Sequence, residues 1–177
     1  MSPTQEMNLD CYVDADFSGL WKHEDDQDPV CVKSRTGYVI TFGNTPVIWS
    51  SKLQTDIALS TLEAEYIALS SSLRELLPLR RLLAELGENM NLEFTKPSLL
   101  HSEVFEDNNG ALILAQSTKM TPRTKHIAIK YHWFRDKIGE VHGVLLKKIS
   151  SENQKADIFT TGLSLDLFRK IRKLLVG

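Results

Sequence analysis

The sequence predicts an α/β fold, a five-stranded mixed sheet flanked by helices. Three observations predict it. Five short stretches are rich in β-branched and aromatic residues and end at turn-forming residues. A long segment after Ser60 spaces its apolar residues by three and four. The two patterns follow one another as β-β-β-α-β-α-α-β-α-α, the order expected of helices packed on a sheet.

The elements follow in chain order. "LDCYVDADF" alternates, which predicts a strand over 9–16. "GLWKHEDDQDPVCVKSRTG" is polar and broken by Pro29 and Gly37, so it reads as a long loop with room for an edge segment. "GYVITFG" and "VIWSS" read as a hairpin turning at "NTP". Ser60 opens a helix expected to reach about Gly87. Leu62, Tyr66, Leu69, Leu73, Leu76 and Leu77 form its apolar face, and Pro78 is a potential kink. "SLLHSEVFED" is a fourth strand and "NNGALILAQST" a short helix. "TPRTKH" is a basic loop, and "IAIKYHWFRDKIGEV" fits a helix with Ile127, Tyr131, Phe134 and Ile138 on one side. "GVLLKKIS" is the fifth strand. "ENQKADIFTTGL" is a short helix, and "SLDLFRKIRKLLV" a terminal one with Leu167, Phe168, Ile171, Leu174 and Leu175 on a stripe.

The 177 residues suit about one domain with a sizeable core. Residues 1–8 read as a disordered tail, 9–163 as the domain, and 164–177 as an amphipathic helix packed on it. With 42% hydrophobic and 25% charged residues, the composition is that of a globular protein. No apolar run approaches ~18 residues, so no membrane span is expected, and no secretory leader is visible. Two cysteines make neither a disulfide framework nor a zinc site, so a reducing compartment is the default expectation. The net charge is only -2, but it is unevenly spread. Residues 118–177 hold 13 basic and 5 acidic side chains, and the first 117 residues hold 8 and 18. This fits two solvated faces, or an acidic metal site beside a basic phosphate-binding surface.

Four acids stand out. Asp14 lies mid-strand, where aspartate fits poorly, and shares a face with Tyr12 and Asp16. In the long helix, Ser60 and Glu63 have capping-box spacing, which gives Glu63 a structural role. Glu65 lies about 60° around the helix from Leu62, at the rim of the apolar face, with no such role. Asp107 ends the fourth strand and Asp157 opens a late helix. Each has an ordinary alternative, as a helix cap or a macrodipole partner. Spread over these elements, the four can converge.

The blocks "YVDADFSG", "STLEAEYIALSSSLRELL", "EDNNGALILAQ", "TKHIAIKYHWFRDKI" and "ENQKADIFTTGL" resemble the ribonuclease H domain of copia-type LTR retrotransposon polyproteins. The resemblance runs from about Leu9 to Leu163. It implies a ribonuclease H-like fold and a metal site of Asp14, Glu65, Asp107 and Asp157, with Asp16 and Glu63 as alternatives. It further implies two Mg²⁺ ions, with Mn²⁺ as a substitute. Hard oxygen ligands suit those cations, and such a pair clamps the attacking and leaving oxygens of an in-line displacement.

The implied activity is cleavage of the RNA strand of RNA–DNA hybrids, leaving 5′-phosphate and 3′-hydroxyl ends. The implied partner is an adjoining reverse transcriptase domain. The implied setting is a cytoplasmic retrotransposon particle or the nucleus. Ser18, Gly19, Ser34, Arg35, Asn108 and Asn109 offer contacts for the hybrid, with ordinary turn chemistry as their alternative. Lys52, Arg123, Lys125 and Lys130 offer phosphate contacts, and Trp49 and Trp133 read as core residues. "ADIFTTGL" departs from the family's "ADILTKPL", and no histidine lies in the loop before Asp157. His126 is therefore the candidate for proton transfer or product release, or it packs or contacts phosphate beside Lys125. A module that holds hybrid without cutting it is the competing reading.

Overall fold

The computed structural model describes residues 8–20, 28, 30–92, 100–117, 127 and 129–176. Five strands form one mixed sheet in the order β3-β2-β1-β4-β5. They are β1 (Leu9–Asp16), β2 (Arg35–Phe42), β3 (Thr45–Leu53), β4 (Ser102–Glu106) and β5 (Val144–Lys148). β1 pairs with β2 and β2 with β3 antiparallel, while β4 runs parallel to both β1 and β5. The helices are α1 (Thr61–Met90), α2 (Asn109–Gln116) and α3 (Leu165–Val176).

Alternation along β1 sorts its side chains as the sequence predicts. Cys11, Val13 and Ala15 enter the core with Tyr66, Leu69, Leu73 and Leu76 of α1. Tyr12 lies in a smaller cluster on the opposite face, with Val39 and Ala156, and stacks on Phe105 with ring centroids 4.7 Å apart. Asp14 shares the Tyr12 face and so emerges beside Ala156 and Asp157.

The hairpin turns one step earlier than "NTP" suggests. Gly43 and Asn44 both have positive φ, of 54° and 66°, and Thr45 and Pro46 already belong to β3. Positive φ at both central residues matches the right-handed twist of flanking strands, and Gly and Asn tolerate it best. α1 continues past Gly87 and ends at Asn91, which takes the left-handed conformation at φ 56°.

The helix expected over 127–141 does not form. Its described residues make short 3₁₀ turns at Ile129–Tyr131, Arg135–Lys137 and Glu140–His142. Tyr131, His132, Trp133 and Phe134 are four consecutive residues that all meet the body of the protein. Tyr131 donates to Asp56 at 2.8 Å, and His132 Nδ1 lies 2.8 Å from the Tyr66 hydroxyl. Trp133 donates to Ser70 at 2.9 Å, and Phe134 is fully buried. A helix would point these four side chains in different directions around its axis.

The terminal stripe is narrower than expected. Ile171 is the one fully buried residue of α3, while Phe168 and Leu174 remain exposed. Trp133 is partly buried against the core, whereas Trp49 is 62% exposed and not a core residue. Among the described residues, no helix is long and apolar enough to cross a membrane.

Candidate metal centre

Asp14, Glu65 and Asp107 meet at the ends of β1 and β4. Each offers one carboxylate oxygen, and these oxygens lie within 4.8 Å of one another. The geometry follows from topology: parallel neighbours β1 and β4 bring Asp14 and Asp107 to the same end of the sheet, and α1 packs against β1 with Glu65 in its first turns.

The cap at Ser60 is what frees Glu65. Ser60 Oγ accepts the Glu63 N–H at 3.2 Å, and Glu63 Oε2 accepts the Leu59 N–H at 2.8 Å, one residue before the amide the capping box implies. Glu65 is 4% exposed, yet its Oε2 has no hydrogen-bond partner. Asp107 is not the cap of α2. Asn108 is, its Oδ1 accepting the Ala111 N–H at 3.1 Å.

Asp157 lies beside this trio on the 3₁₀ turn Lys155–Phe159. It is outside the 4.8 Å group, but its carboxyl is pushed up to about 7 by burial and then by the charges of Asp14 and Asp107. Asp14 is pushed up to about 6, first by burial and then by Asp107, against the pull of the Thr160 hydroxyl. Glu65 is raised strongly by burial, then by Glu106, Asp14 and Asp107. Among the described residues none of these carboxylates has an ion-pair partner. Packed carboxylates with no cation among them, one oxygen buried and unpaired, fit a divalent ion with hard oxygen ligands. The residues present therefore suit the metal that the sequence resemblance implies.

Four residues missed by sequence reading complete the centre. Thr160 Oγ1 donates a short hydrogen bond to Asp14 Oδ2. Ser151 Oγ donates to Asp107 Oδ2 at 2.6 Å. Each hydroxyl holds one carboxylate oxygen and leaves the other for a ligand. Glu106 is fully buried at the end of β4. One of its oxygens accepts the Asn108 N–H at 3.0 Å, and Oε2 has no partner. Burial, then the charges of Asp107 and Asp14, raises its carboxyl well above the usual range. Gly37 faces Asp14 across the β1–β2 ladder, and a Cβ there would lie 2.5 Å from Thr160 Cγ2 and 2.9 Å from Phe159 Cβ. Only glycine lets the turn bearing Asp157 come so close. Strand alternation flags Glu106 only weakly, and the contacts of Ser151 and Thr160 span 44 and 146 residues.

The expected hybrid contacts divide. Ser18, at φ 52°, donates through Oγ to Val32 O at 3.0 Å and through its N–H to Ser34 Oγ. Ser34 is fully buried, so it buttresses Ser18 and does not present a surface contact. Gly19 is exposed, and the Asp16 carboxylate occupies the space a Cβ would take. Arg35 donates to Ser51 Oγ at 3.3 Å, and Ser51 in turn donates to Phe159 O at 2.6 Å. Asn108 spends its side-chain oxygen on the cap, while Asn109 and Lys52 are exposed. Lys130 lies 2.7 Å from Asp56 Oδ2. Arg123, Lys125 and His126 lie outside the described residues.

No protein-family model matches the chain. It is 35% identical over 166 residues to the retrovirus-related Pol polyprotein from transposon TNT 1-94 of Nicotiana tabacum, covering 92% of this chain and 11% of that protein. It is 33% identical over 163 residues to the corresponding polyprotein from transposon RE1 of Arabidopsis thaliana, covering 92% and 10%. The chain thus spans about a tenth of the length of these curated relatives.

Among solved structures, it superposes on the N-terminal RNase H domain of Rv2228c from Mycobacterium tuberculosis, solved as a fusion with maltose-binding protein. The TM-score is 0.55 and the identity 10%, over 94% of this chain and 97% of that one. It also superposes on LC11-RNase H1, isolated from compost by a metagenomic approach, with a TM-score of 0.51 and 21% identity, over 86% and 92%. The chain is a homologue of one segment of the retrovirus-related Pol polyproteins of plant transposons, built on the ribonuclease H fold.

Proposed function

We propose that the chain is a metal-dependent endoribonuclease that cuts the RNA strand of RNA–DNA hybrids during retrotransposon reverse transcription, leaving 5′-phosphate and 3′-hydroxyl ends. The observation that carries this reading is the convergence of Asp14, Glu65 and Asp107 around an unpaired, buried Glu65 oxygen. Asp14, Glu65 and Asp107 would hold divalent cations, Mg²⁺ or Mn²⁺, with Asp157 completing the set. Such cations supply an activated water and charge for the departing oxygen.

The chain's own residues do the rest. The Thr160 and Ser151 hydroxyls fix the orientation of Asp14 and Asp107. Burial of Glu65 and Glu106 keeps the floor of the centre dry, which strengthens every charge interaction in it. Gly19, Asn109 and Lys52 are exposed and would be free to make the 2′-hydroxyl and phosphate contacts that select a hybrid. The adjoining polyprotein partner in this reading is a reverse transcriptase domain.

The test is cleavage of end-labelled hybrid in Mg²⁺ or Mn²⁺. Cutting by the wild type and none by Asp14→Asn supports the proposal. Binding without cutting in either metal overturns it in favour of a non-cleaving hybrid-binding module.

A further inference from the structure

We infer that Gln154 is a positioning residue of the metal centre: its buried side-chain amide sets the gap between β1 and β4 and starts the turn that carries Asp157. The inference rests on the carboxylates forming a metal centre as proposed above.

Gln154 is fully buried, although glutamine is mostly a surface residue. Burying an amide is costly unless its hydrogen-bonding groups are met. Here they are met by three separate segments. Nε2 donates to Val13 O at 2.8 Å and to Phe105 O at 3.4 Å, and Oε1 accepts the Ala156 N–H at 3.4 Å.

The location gives these bonds their meaning. The β1–β4 ladder pairs Cys11 with Val104 and Tyr12 with Phe105 and then stops, although β1 runs on to Asp16. Val13 directly precedes Asp14, and Phe105 lies two residues before Asp107. One side-chain nitrogen therefore bridges the strands where their own ladder ends, immediately before the two ligand-bearing positions. The oxygen of the same amide caps the 3₁₀ turn that presents Asp157. Carboxylates from three segments take their relative spacing from a single group. Groups that orient metal ligands commonly govern affinity about tenfold to a hundredfold, and a centre loosened by about 0.5 Å loses its geometry.

A glutamine that merely filled the core would stabilise the fold without governing metal affinity. Gln154→Met keeps the volume and removes all three hydrogen bonds. Gln154→Asn keeps the amide but shortens its reach. Leu76→Ala is the control, a cavity in the core beneath α1. Each variant is titrated calorimetrically with Mn²⁺ well below its thermal midpoint, and its kcat and KM are measured on hybrid.

The expected result for Gln154→Met is Mn²⁺ binding weakened at least about tenfold, a lower kcat with KM within about twofold, and partial recovery of rate at high Mn²⁺. Gln154→Asn is expected to shift in the same direction, and remains the readout if the Met variant does not fold. Leu76→Ala is expected to keep wild-type Mn²⁺ affinity at equal or greater loss of stability. Wild-type affinity in both Gln154 variants overturns the inference and leaves the proposed function standing. A wild-type protein that binds no Mn²⁺ overturns both.

Discussion

Glu65 shows how a single residue separates folding from chemistry. Its neighbour Glu63 is held by the helix cap, whereas Glu65 is buried with an oxygen left unpaired. Removing its charge should therefore damage function and help stability. Glu65→Gln is expected to lower kcat roughly a thousandfold, equivalent to about 4 kcal/mol of lost transition-state stabilisation. It should also raise the thermal midpoint of the metal-free protein by a few degrees, because glutamine removes the cost of protonating or ionising a buried carboxyl. A scanning-fluorimetry trace and a cleavage assay on the same preparation check both directions.

The same cluster fixes the sign of a pH effect. Asp14 and Asp157 titrate at about 6 and about 7 in the folded protein, above the ordinary aspartate value of 3.8. Across that interval the folded state holds more protons than the unfolded one, so stability falls as pH rises. The metal-free thermal midpoint should be highest near pH 4 and decline through pH 7. Saturating Mg²⁺ should flatten the decline, since the cation binds the ionised folded form. A midpoint that rises over this range without metal would contradict the charge arrangement described.

Among the elements, the segment from Ser151 to Thr160 does most to shape the centre, and it was the least legible in sequence. "ENQKADIF" reads as a short helix bearing an acid. Nothing local shows that Ser151 would hold Asp107 or that Thr160 would hold Asp14, because those contacts are purely tertiary. The long helix is the opposite case: its period, its cap and its odd carboxylate are all local. Residues 127–138 misled for a definite reason. Ile127, Tyr131, Phe134 and Ile138 have helical spacing, but the intervening His132 and Trp133 also bond inward, which one helical face cannot satisfy. Glu106 stayed hidden because strand alternation places it in the core without saying that a carboxylate can live there.

Gly37 offers an element-scale test. Gly37→Val should push the 155–160 turn off β2 and weaken Mn²⁺ binding about tenfold or more, while circular dichroism still reports an intact sheet and helices. Unchanged metal affinity would mean that the close approach of Thr160 is not required.

For the whole molecule, the sequence showed the charge asymmetry and the mixed sheet, but not where the basic half would face. The acids cluster at one end of the sheet, and α3 carries Arg169, Lys170, Arg172 and Lys173, all exposed. In the proposed reading, a polyanionic substrate would have to be attracted past an acidic centre, so distributed cations should dominate its binding. Hybrid affinity should fall roughly a hundredfold between 50 and 200 mM salt if about four phosphates are neutralised. Fluorescence anisotropy over that range checks it, and a flat response would argue against phosphate-led binding.

The order of the strands also has a bearing on biosynthesis. All five strands are complete by Lys148, whereas Ser151, Gln154, Asp157 and Thr160 follow the last of them. A nascent chain leaving the ribosome can thus assemble its sheet, with Asp14, Glu65 and Asp107 already synthesised, before the segment that buttresses them has emerged. In the proposed reading, the carboxylates would reach their working orientation only after residues 151–160 have followed the sheet out.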